Sequence, residues 1–214
     1  MNKKLLLLGG GGHCKSVLDS LLPSGQYVEM GIIDKKENVG KSILDVPVIG
    51  CDDDLSKLYQ QEFNYAFVTV GSIGNPSLRV KLFSEIERIG FKIPNIIDAT
   101  AVVSQHASLE NGVFIGKNAV INAGSTIGKG VIINTSATIE HDCTIEDFVH
   151  IASGAVLCGE LHIGYNTHIG ANSVIKQQLR IGFDSIIGMG SVVLHDIGDN
   201  IIAFGNPCKE VKKS

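Results

Sequence analysis

Residues 133–145 read INTSATIEHDCTI, and Ile133, Ile139 and Ile145 are six positions apart in this stretch. A branched aliphatic residue recurs at the same spacing from Ile97 to Val193, through seventeen positions without an exception. A period of six matches neither the 3.6-residue period of a helix nor the simple alternation of a strand. It predicts short strands that turn a corner every six residues, so that three strands form one coil of eighteen. Such coils cannot bury their apolar faces alone, and they therefore stack into a solenoid.

Two other positions of the repeat are also biased. The fourth residue after the aliphatic is mostly small, and glycine often follows the aliphatic directly. We expect the aliphatic and small side chains to fill the interior, and we attribute the glycines to the dihedral angles of the corners. The small residues are Ala119, Ser125, Ala137, Cys143, Ala155, Thr167, Ser173, Ser185 and Ser191, and the glycines are Gly116, Gly128, Gly164, Gly170, Gly182 and Gly188.

The first 95 residues follow another pattern, in which predicted strands alternate with predicted helices. This order predicts a small parallel sheet in an α/β, Rossmann-like domain. The chain is therefore expected to have two domains, 1–95 and 96–214, the second ending in a short C-terminal tail. The predicted strands are 4–8, 28–33 and 66–70, and the predicted helices are 13–22, 55–61 and 78–89.

A glycine-rich turn, GGGGHCKS at residues 9–16, joins the first strand to the first helix. Backbone N–H groups in such a turn can bind phosphate. The turn lacks the third glycine of the dinucleotide fingerprint, so NAD binding is not predicted. A tight strand-to-helix connection without a ligand is the alternative interpretation.

Composition excludes several classes of protein. Of the 214 residues, 44% are apolar and 19% are charged, which fits a globular protein with a substantial core. The formal net charge of -4 gives no basic surface, so nucleic acid is not an expected partner. The apolar run at 5–8 is too short for a membrane span or a signal peptide. Five cysteines without CxxC spacing indicate reduced thiols in the cytoplasm and no metal site.

His141 is the strongest candidate for catalysis among the seven histidines. It lies two residues after Ile139, so it should be near a corner and outside the core, between Glu140 and Asp142. A neighbouring carboxylate can fix the imidazole tautomer and raise the basicity of the other ring nitrogen. Gly159 lies one coil later and should stack over His141, where its N–H could stabilise an oxyanion. A solvated polar corner is the alternative.

Cys143 occupies the small inward position of the repeat. We therefore interpret it as a core residue rather than a nucleophile.

The repeat resembles the [LIV]-Gly-x4 pattern of hexapeptide acyltransferases, and the ending Gly205-Asn206-Pro207 resembles their usual exit from the solenoid. The resemblance implies a left-handed β-helix and a homotrimer. With Gly-Gly-His at the first turn and Glu140-His141-Asp142 in the repeat, nearly the whole chain resembles bacterial nucleotide-sugar N-acetyltransferases, which act on 4-amino-4,6-dideoxy sugars. Sialic acid O-acetyltransferases are close relatives of that family.

The resemblance implies an acetyl-CoA-dependent enzyme that acetylates a nucleotide-linked amino sugar for surface glycan biosynthesis. His141 would be the general base, Asp142 its orienting carboxylate and Gly159 the oxyanion donor. O-acetylation of a sugar or sialic acid is an alternative, and the identities of the sugar and the nucleotide remain open.

The resemblance also assigns binding residues. The nucleotide sugar would contact Gly11, Gly12, His13, Asp34, Lys35 and Gly71, and acetyl-CoA would contact His150, Ala171 and Met189. The family often carries a second acidic residue at the position of Lys35, which leaves the base preference open. His150 is half a coil from His141, so the two should point apart in one chain and could share a site across a trimer interface.

Two rival functions come from other classes. Gamma-class carbonic anhydrases share the fold and bind zinc through three histidines; His106 and His141 have a tolerable spacing, but the third position is Glu146. A non-catalytic sugar-binding scaffold is the second rival, and the glycine turn and the Glu-His-Asp corner argue against it.

Overall fold

The computed structural model describes residues 3–211, and the chain forms two compact units, Met1–Ile96 and Ile97–Ser214. The last three positions of the expected C-terminal tail, 212–214, lie outside the described residues. No helix within residues 3–211 combines the length and the apolar character needed to cross a membrane.

The first unit contains a five-stranded sheet in the order β3-β4-β2-β1-β5, with three α-helices. Short 3-10 turns at Leu22–Ser24, Lys36–Asn38 and Asp52–Asp54 complete it. The strands are β1 (Lys4–Leu8), β2 (Glu29–Ile33), β3 (Ser42–Ile43), β4 (Val46–Gly50) and β5 (Tyr65–Val68), and the helices are α1 (Gly12–Leu21), α2 (Leu55–Gln60) and α3 (Ser77–Ile89).

Strand β1 is an interior strand of this sheet, because it pairs in parallel with β2 on one side and β5 on the other. Its leucines at positions 5 to 8 are fully buried, as expected for a parallel strand that is covered on both faces. The prediction of a strand at residues 4–8 is confirmed.

The sheet is not wholly parallel, which corrects the sequence-based prediction. Strands β3 and β4 form an antiparallel hairpin. Leu44 and Asp45 connect them, and both have positive φ angles, 44° and 64°. Two-residue hairpin turns need this conformation and usually contain Asn-Gly or Asp-Gly. The Leu-Asp pair carries no such signal, so the hairpin was missed.

The second unit is a left-handed β-helix built from strands of two residues each. Pairing joins residues eighteen apart, such as Ile121 with Ile139 and Ile127 with Ile145, which confirms the predicted coil. The strands are β6 (Ile96–Ile97), β7 (Val102–Val103), β8 (Ser108–Leu109), β9 (Phe114–Ile115), β10 (Val120–Ile121), β11 (Thr126–Ile127), β12 (Ile132–Ile133), β13 (Thr138–Ile139), β14 (Thr144–Ile145), β15 (His150–Ile151), β16 (Val156–Leu157), β17 (His162–Ile163), β18 (His168–Ile169), β19 (Val174–Ile175), β20 (Arg180–Ile181), β21 (Ile186–Ile187) and β22 (Val192–Val193), followed by the hairpin β23 (Ile202–Gly205) and β24 (Cys208–Val211).

Three sheets form the sides of the helix, and their outward residues differ in character. The valine face consists of β7, β10, β13, β16, β19 and β22, and its outward residues are Val102, Val120, Thr138, Val156, Val174 and Val192. The polar face consists of β8, β11, β14, β17 and β20, and its outward residues are Ser108, Thr126, Thr144, His162 and Arg180. The histidine face carries His150 and His168 between isoleucines and ends in the β23–β24 hairpin.

The predicted aliphatic ladder forms the core of the helix. From Ile115 to Val193 every ladder side chain is at most 1% exposed, and the small residues beside them are also buried. The first coil is less buried, with Ile97 at 44% exposure and Val103 and Leu109 partly buried, because it has a coil neighbour on one side alone.

The role that the sequence assigned to the repeat glycines is wrong. The left-handed backbone falls on the third residue after the aliphatic, as in Asn118 (φ 56°) and Asp142 (φ 59°), where asparagine and aspartate are tolerated. The glycine that follows the aliphatic directly provides room instead. A Cβ at Gly170, for example, would lie 2.5 Å from the Met189 backbone nitrogen of the next coil.

Candidate active site

His141 lies on the corner between β13 of the valine face and β14 of the polar face, exposed and outside the core. Its Nδ1 is 2.8 Å from Oδ2 of Asp142, the next residue. Asp142 occupies the left-handed position of the corner, which turns its carboxylate back towards the imidazole. The pair leaves Nε2 as the ring nitrogen that is able to exchange a proton with a substrate.

Two glycines border the His141–Asp142 pair in the adjacent coils. A Cβ on Gly159, one coil later, would lie 2.6 Å from both Cε1 and Nε2 of His141. A Cβ on Gly124, one coil earlier than Asp142, would collide with that carboxylate. The stacking of Gly159 on His141, which the eighteen-residue coil predicts, is therefore confirmed, and the imidazole lies directly against the Gly159 backbone.

The surroundings of His141 are acidic. Its pKa is raised above the ordinary value, first by the hydrogen bond with Asp142 and further by the charges of Asp142, Glu160 and Glu140. Neutral amides hold the two glutamates: Asn122 Nδ2 donates to Glu140 at 2.9 Å, and Gln178 Nε2 donates to Glu160 at 3.2 Å. These donors do not neutralise the carboxylates, so the corner favours a proton on the imidazole.

The backbone N–H of Gly159 is available to a ligand. At the corners between the polar and histidine faces, carboxylates accept hydrogen bonds from the equivalent N–H groups, as Asp147 does from Lys129 (2.9 Å) and Glu146 from Tyr165 (2.7 Å). Among the described residues, no acceptor binds the Gly159 N–H. A donor without an acceptor beside a potential base is the arrangement that acyl transfer requires.

Cys143 is fully buried, in agreement with the sequence-based interpretation. Its Sγ lies 3.2 Å from the backbone oxygen of Cys158, and burial raises the pKa of the thiol. A buried thiol with a raised pKa is a poor nucleophile.

The residues assigned to acetyl-CoA lie elsewhere on the same chain. His150 is on the histidine face, where its ring contacts that of His168 with centroids 4.8 Å apart. Ala171 and Met189 stack at the next corner, where the Gly190 N–H donates to the Ala171 oxygen. This corner and the His141 corner border opposite edges of the valine face. One chain therefore does not bring His150, Ala171 and Met189 to His141.

The first unit contains two clefts at the carboxyl ends of its parallel strands, and Asp34 lines both. One cleft, of about 320 Å³, is lined by Gly9, Ile33, Asp34, Lys35, Lys36, Cys51, Asp52, Asp53, Val70, Leu78 and Leu82. The other, of about 440 Å³, is lined by Gly10, Lys15, Asp34, Asn38, Lys41, Ser42, Ile43, Leu44 and Val48.

The remaining predicted substrate residues lie near the glycine turn but do not line these two clefts. Gly11 and Gly12 begin α1 and have open space where a side chain would be. His13 is half-buried, and the burial of its ring, followed by the charge of Arg79, lowers its pKa to about 4. A Cβ on Gly71 would lie 3.5 Å from the Cβ of His13, so these two positions are adjacent.

The residues considered for a metal site have other contacts. Glu146 Oε1 is 2.6 Å from Nε2 of His162, and its other oxygen accepts the Tyr165 N–H. Within residues 3–211, no three His, Cys, Asp or Glu side chains converge as metal ligands would.

Sequence reasoning missed Gly124 and Glu160, which are part of the acidic corner. The signal was present, because both positions are eighteen residues from Asp142 and the coil length was known.

Two family models match the chain. The PglD N-terminal domain matches residues 4–86, and the bacterial transferase hexapeptide model, with six repeats, matches residues 106–141. No protein of the curated set is a significant match.

Solved structures resemble the chain over its whole length. The acetyltransferase domain of PglB from Neisseria gonorrhoeae, in complex with acetyl coenzyme A, is 36% identical with a TM-score of 0.92, over 99% of this chain and 100% of that one. A histidine-to-asparagine variant of perosamine N-acetyltransferase from Caulobacter crescentus, in complex with CoA and GDP-perosamine, is 34% identical with a TM-score of 0.92, over 98% and 97%. WeeI from Acinetobacter baumannii, at 24% identity and a TM-score of 0.81 over 98% and 100%, shares the fold. On this full-length similarity, the chain belongs to the family of bacterial hexapeptide-repeat nucleotide-sugar N-acetyltransferases.

Proposed function

We propose that this chain transfers the acetyl group of acetyl-CoA to the amino group of a nucleotide-linked amino sugar of the 4-amino-4,6-dideoxy type. The observation that carries the proposal is the His141 corner, where a carboxylate-oriented imidazole lies against Gly159, whose N–H has no acceptor among residues 3–211. Supporting it, the PglB domain was solved with acetyl coenzyme A and the perosamine enzyme with CoA and GDP-perosamine.

The chemistry requires one base and one oxyanion donor. The sugar nitrogen attacks the thioester carbonyl carbon, and the proton that it loses goes to Nε2 of His141. The Gly159 N–H stabilises the negative charge on the carbonyl oxygen. When the carbon–sulfur bond breaks, the imidazolium returns the proton to the departing thiolate, so the products are an amide and CoA. Asp142 keeps the imidazole in the tautomer that presents Nε2.

The active site is proposed to need a second copy of the chain. Val102 and Val174 on the valine face are 63% and 40% exposed, the other valines of the row are partly exposed, and such an apolar row is a suitable surface for self-association. A homotrimer packed through this face would place His150, Ala171 and Met189 of the partner subunit near His141, where they would contact acetyl-CoA.

The first unit, residues 1–95 in the domain prediction, is proposed to bind the nucleotide part of the acceptor. Asp34 and Lys35 line the 320 Å³ cleft at the strand ends, where open α/β sheets bind ligands. The N–H groups of Gly11 and Gly12, at the start of α1, suit the phosphates, with His13 and Gly71 beside them. Since acetyl-CoA and nucleotide sugars are cytoplasmic metabolites, we place the enzyme in the cytoplasm, in a glycan-building pathway.

The test is a screen of nucleotide-linked amino sugars for acetyl-CoA-dependent release of CoA thiol, with mass spectrometry of the product. We expect an amide product that is 42 Da heavier than the acceptor, because an acetyl group replaces one hydrogen atom. Hydroxyl-only analogues and free sialic acid serve as the matched acceptors. Transfer to these with none to the amines would identify an O-acetyltransferase, and no CoA release with any acceptor would favour a sugar-binding scaffold.

A further inference from the structure

The 320 Å³ cleft of the first unit has the mixed lining that a nucleobase requires. Ile33, Val70 and the leucines of α3 at positions 78 and 82 supply apolar surface for the faces of a planar ring. Its lining also includes three carboxylates, those of Asp34, Asp52 and Asp53. The cleft is formed at the carboxyl ends of β1, β2, β4 and β5, the usual ligand position in an open α/β sheet.

The acidic side chains of this region differ in what they bind. Asp53 is 3.1 Å from Nζ of Lys36, and Asp34 Oδ2 accepts a hydrogen bond from Asn38 Nδ2 at 3.0 Å. Asp54, just outside the cleft, accepts the backbone N–H of Cys51 at 2.9 Å. Within the described part of the chain, the Asp52 carboxylate accepts no hydrogen bond and forms no ion pair.

Asp52 is exposed at the surface of the cleft, so its carboxylate is accessible to a ligand. Burial raises its pKa, and the negative charge of Glu85 raises it further, against the opposing effect of Lys81. A ligand that donates N–H groups to this carboxylate forms charge-assisted hydrogen bonds with it.

We propose that Asp52 recognises the nucleobase and that this base is guanine, so that the acceptor is a guanosine-diphosphate-linked amino sugar; the inference rests on the proposed function. A carboxylate is an acceptor with two oxygens. Guanine presents its N1–H and its 2-amino group side by side, and the two can donate parallel, charge-assisted hydrogen bonds to one carboxylate.

The other common bases suit this carboxylate less well. Uracil and thymine have a single N3–H between two carbonyl oxygens, so the second carboxylate oxygen would face a carbonyl oxygen. Adenine and cytosine place one amino group beside a ring nitrogen that is itself an acceptor, which also repels the second oxygen. Guanine alone among these satisfies both oxygens.

The experiment is isothermal titration of the full chain with GDP, inosine diphosphate, UDP and dTDP, for the wild type and two variants. Asp52→Asn removes the carboxylate. Asp53→Asn is the matched control, the same change one residue later in a carboxylate that already pairs with Lys36. Circular dichroism and melting temperature establish that both variants are folded.

The wild type should bind GDP more tightly than UDP or dTDP by on the order of 10- to 100-fold. Inosine diphosphate, which keeps N1–H but lacks the 2-amino group, should fall between them. Asp52→Asn should bring GDP close to UDP in affinity, whereas Asp53→Asn should keep the guanine preference.

Three results would overturn the inference: UDP binding as tightly as GDP, a guanine preference that survives in Asp52→Asn, or no binding of any of the four at millimolar concentration. Acetylation assays separate this from the proposed function. Equal turnover of GDP- and UDP-linked amino sugars would remove the guanine inference and leave the acetyltransferase intact. Turnover of neither would count against the acetyltransferase itself.

Discussion

At the scale of single residues, the His141–Asp142 pair determines how activity should depend on pH. A general base accepts a proton in its neutral form alone, so activity falls as pH decreases through the pKa of His141. That pKa is raised, with the Asp142 hydrogen bond as the largest cause, which places the acidic limb of the wild-type profile above the ordinary value of 6.5.

Asp142→Asn should therefore move the acidic limb of kcat/KM to lower pH, because the imidazole loses the partner that favours its protonated form. Maximal kcat should also fall, since the tautomer is less well held. The measurement is the pH–rate profile of the wild type and of Asp142→Asn with the same acceptor. The titration of the acceptor amine then affects both profiles equally. Glu140→Gln, which removes a more distant charge, should shift the limb less. An unchanged limb, or one that moves to higher pH, would contradict the assignment.

Activity should require the absence of a side chain at Gly159 as well as its backbone N–H. Because a Cβ there would lie 2.6 Å from Nε2 of His141, Gly159→Ala should displace the imidazole. Displacing a catalytic group by about 1 Å can lower the rate by about 10²-fold. The measurement is kcat together with the melting temperature, which should stay close to that of the wild type because the ring can rotate outwards.

Gly198→Ala is the matched control for that variant, since a Cβ at Gly198 would meet its nearest atom at an ordinary 3.7 Å. It should retain full activity. An active Gly159→Ala enzyme would show that the imidazole does not work from the position seen here.

The geometry of the His141 corner was predictable because His141 and Asp142 are consecutive and the coil length gives the position stacked above them. Asp52 was not predictable. Its place in a cleft depends on the β3–β4 hairpin and on the 3-10 turn that follows it, and neither leaves a signal in the sequence.

At the scale of the secondary-structure elements, the stability of the β-helix depends on the inward residue of each short strand. In β11, Ile127 is 1% exposed in the core, whereas its neighbour Thr126 points outwards. Ile127→Ala should destabilise the unit by about 2–5 kcal/mol, since the fixed coil backbone cannot collapse into the cavity. Thr126→Ala should change stability by less than about 1 kcal/mol. Melting curves of the two variants test this, and equal effects would contradict the inward assignment.

The repeat also shows where sequence reasoning fails at this scale. Period and burial followed directly from the aliphatic ladder. The role of the glycines did not follow from the sequence. A glycine required for a left-handed φ angle and a glycine required for space look the same in a sequence. The close approach of the next coil's backbone to Gly170 can be recognised only in the three-dimensional structure.

At the scale of the whole molecule, the valine face should hold three copies together. Sedimentation should give a mass of three times 22.8 kDa at micromolar concentration. Val174→Asp should dissociate the trimer and abolish activity together, because a charge would enter an apolar interface and the shared site would be lost. Thr144→Asp, on the polar face, is the matched control and should remain trimeric. A fully active wild-type monomer would refute the shared site.

The central claim is that His141 is the general base of acetyl transfer to a sugar amine, and kcat of His141→Ala tests it most directly. The rate should be measured with acetyl-CoA and the amino-sugar acceptor both saturating, beside the dissociation constant of acetyl-CoA. General-base catalysis contributes about 10²–10⁴-fold, so kcat should fall by that factor while acetyl-CoA affinity stays within about threefold of the wild type. A variant that turns over at the wild-type rate would contradict the account.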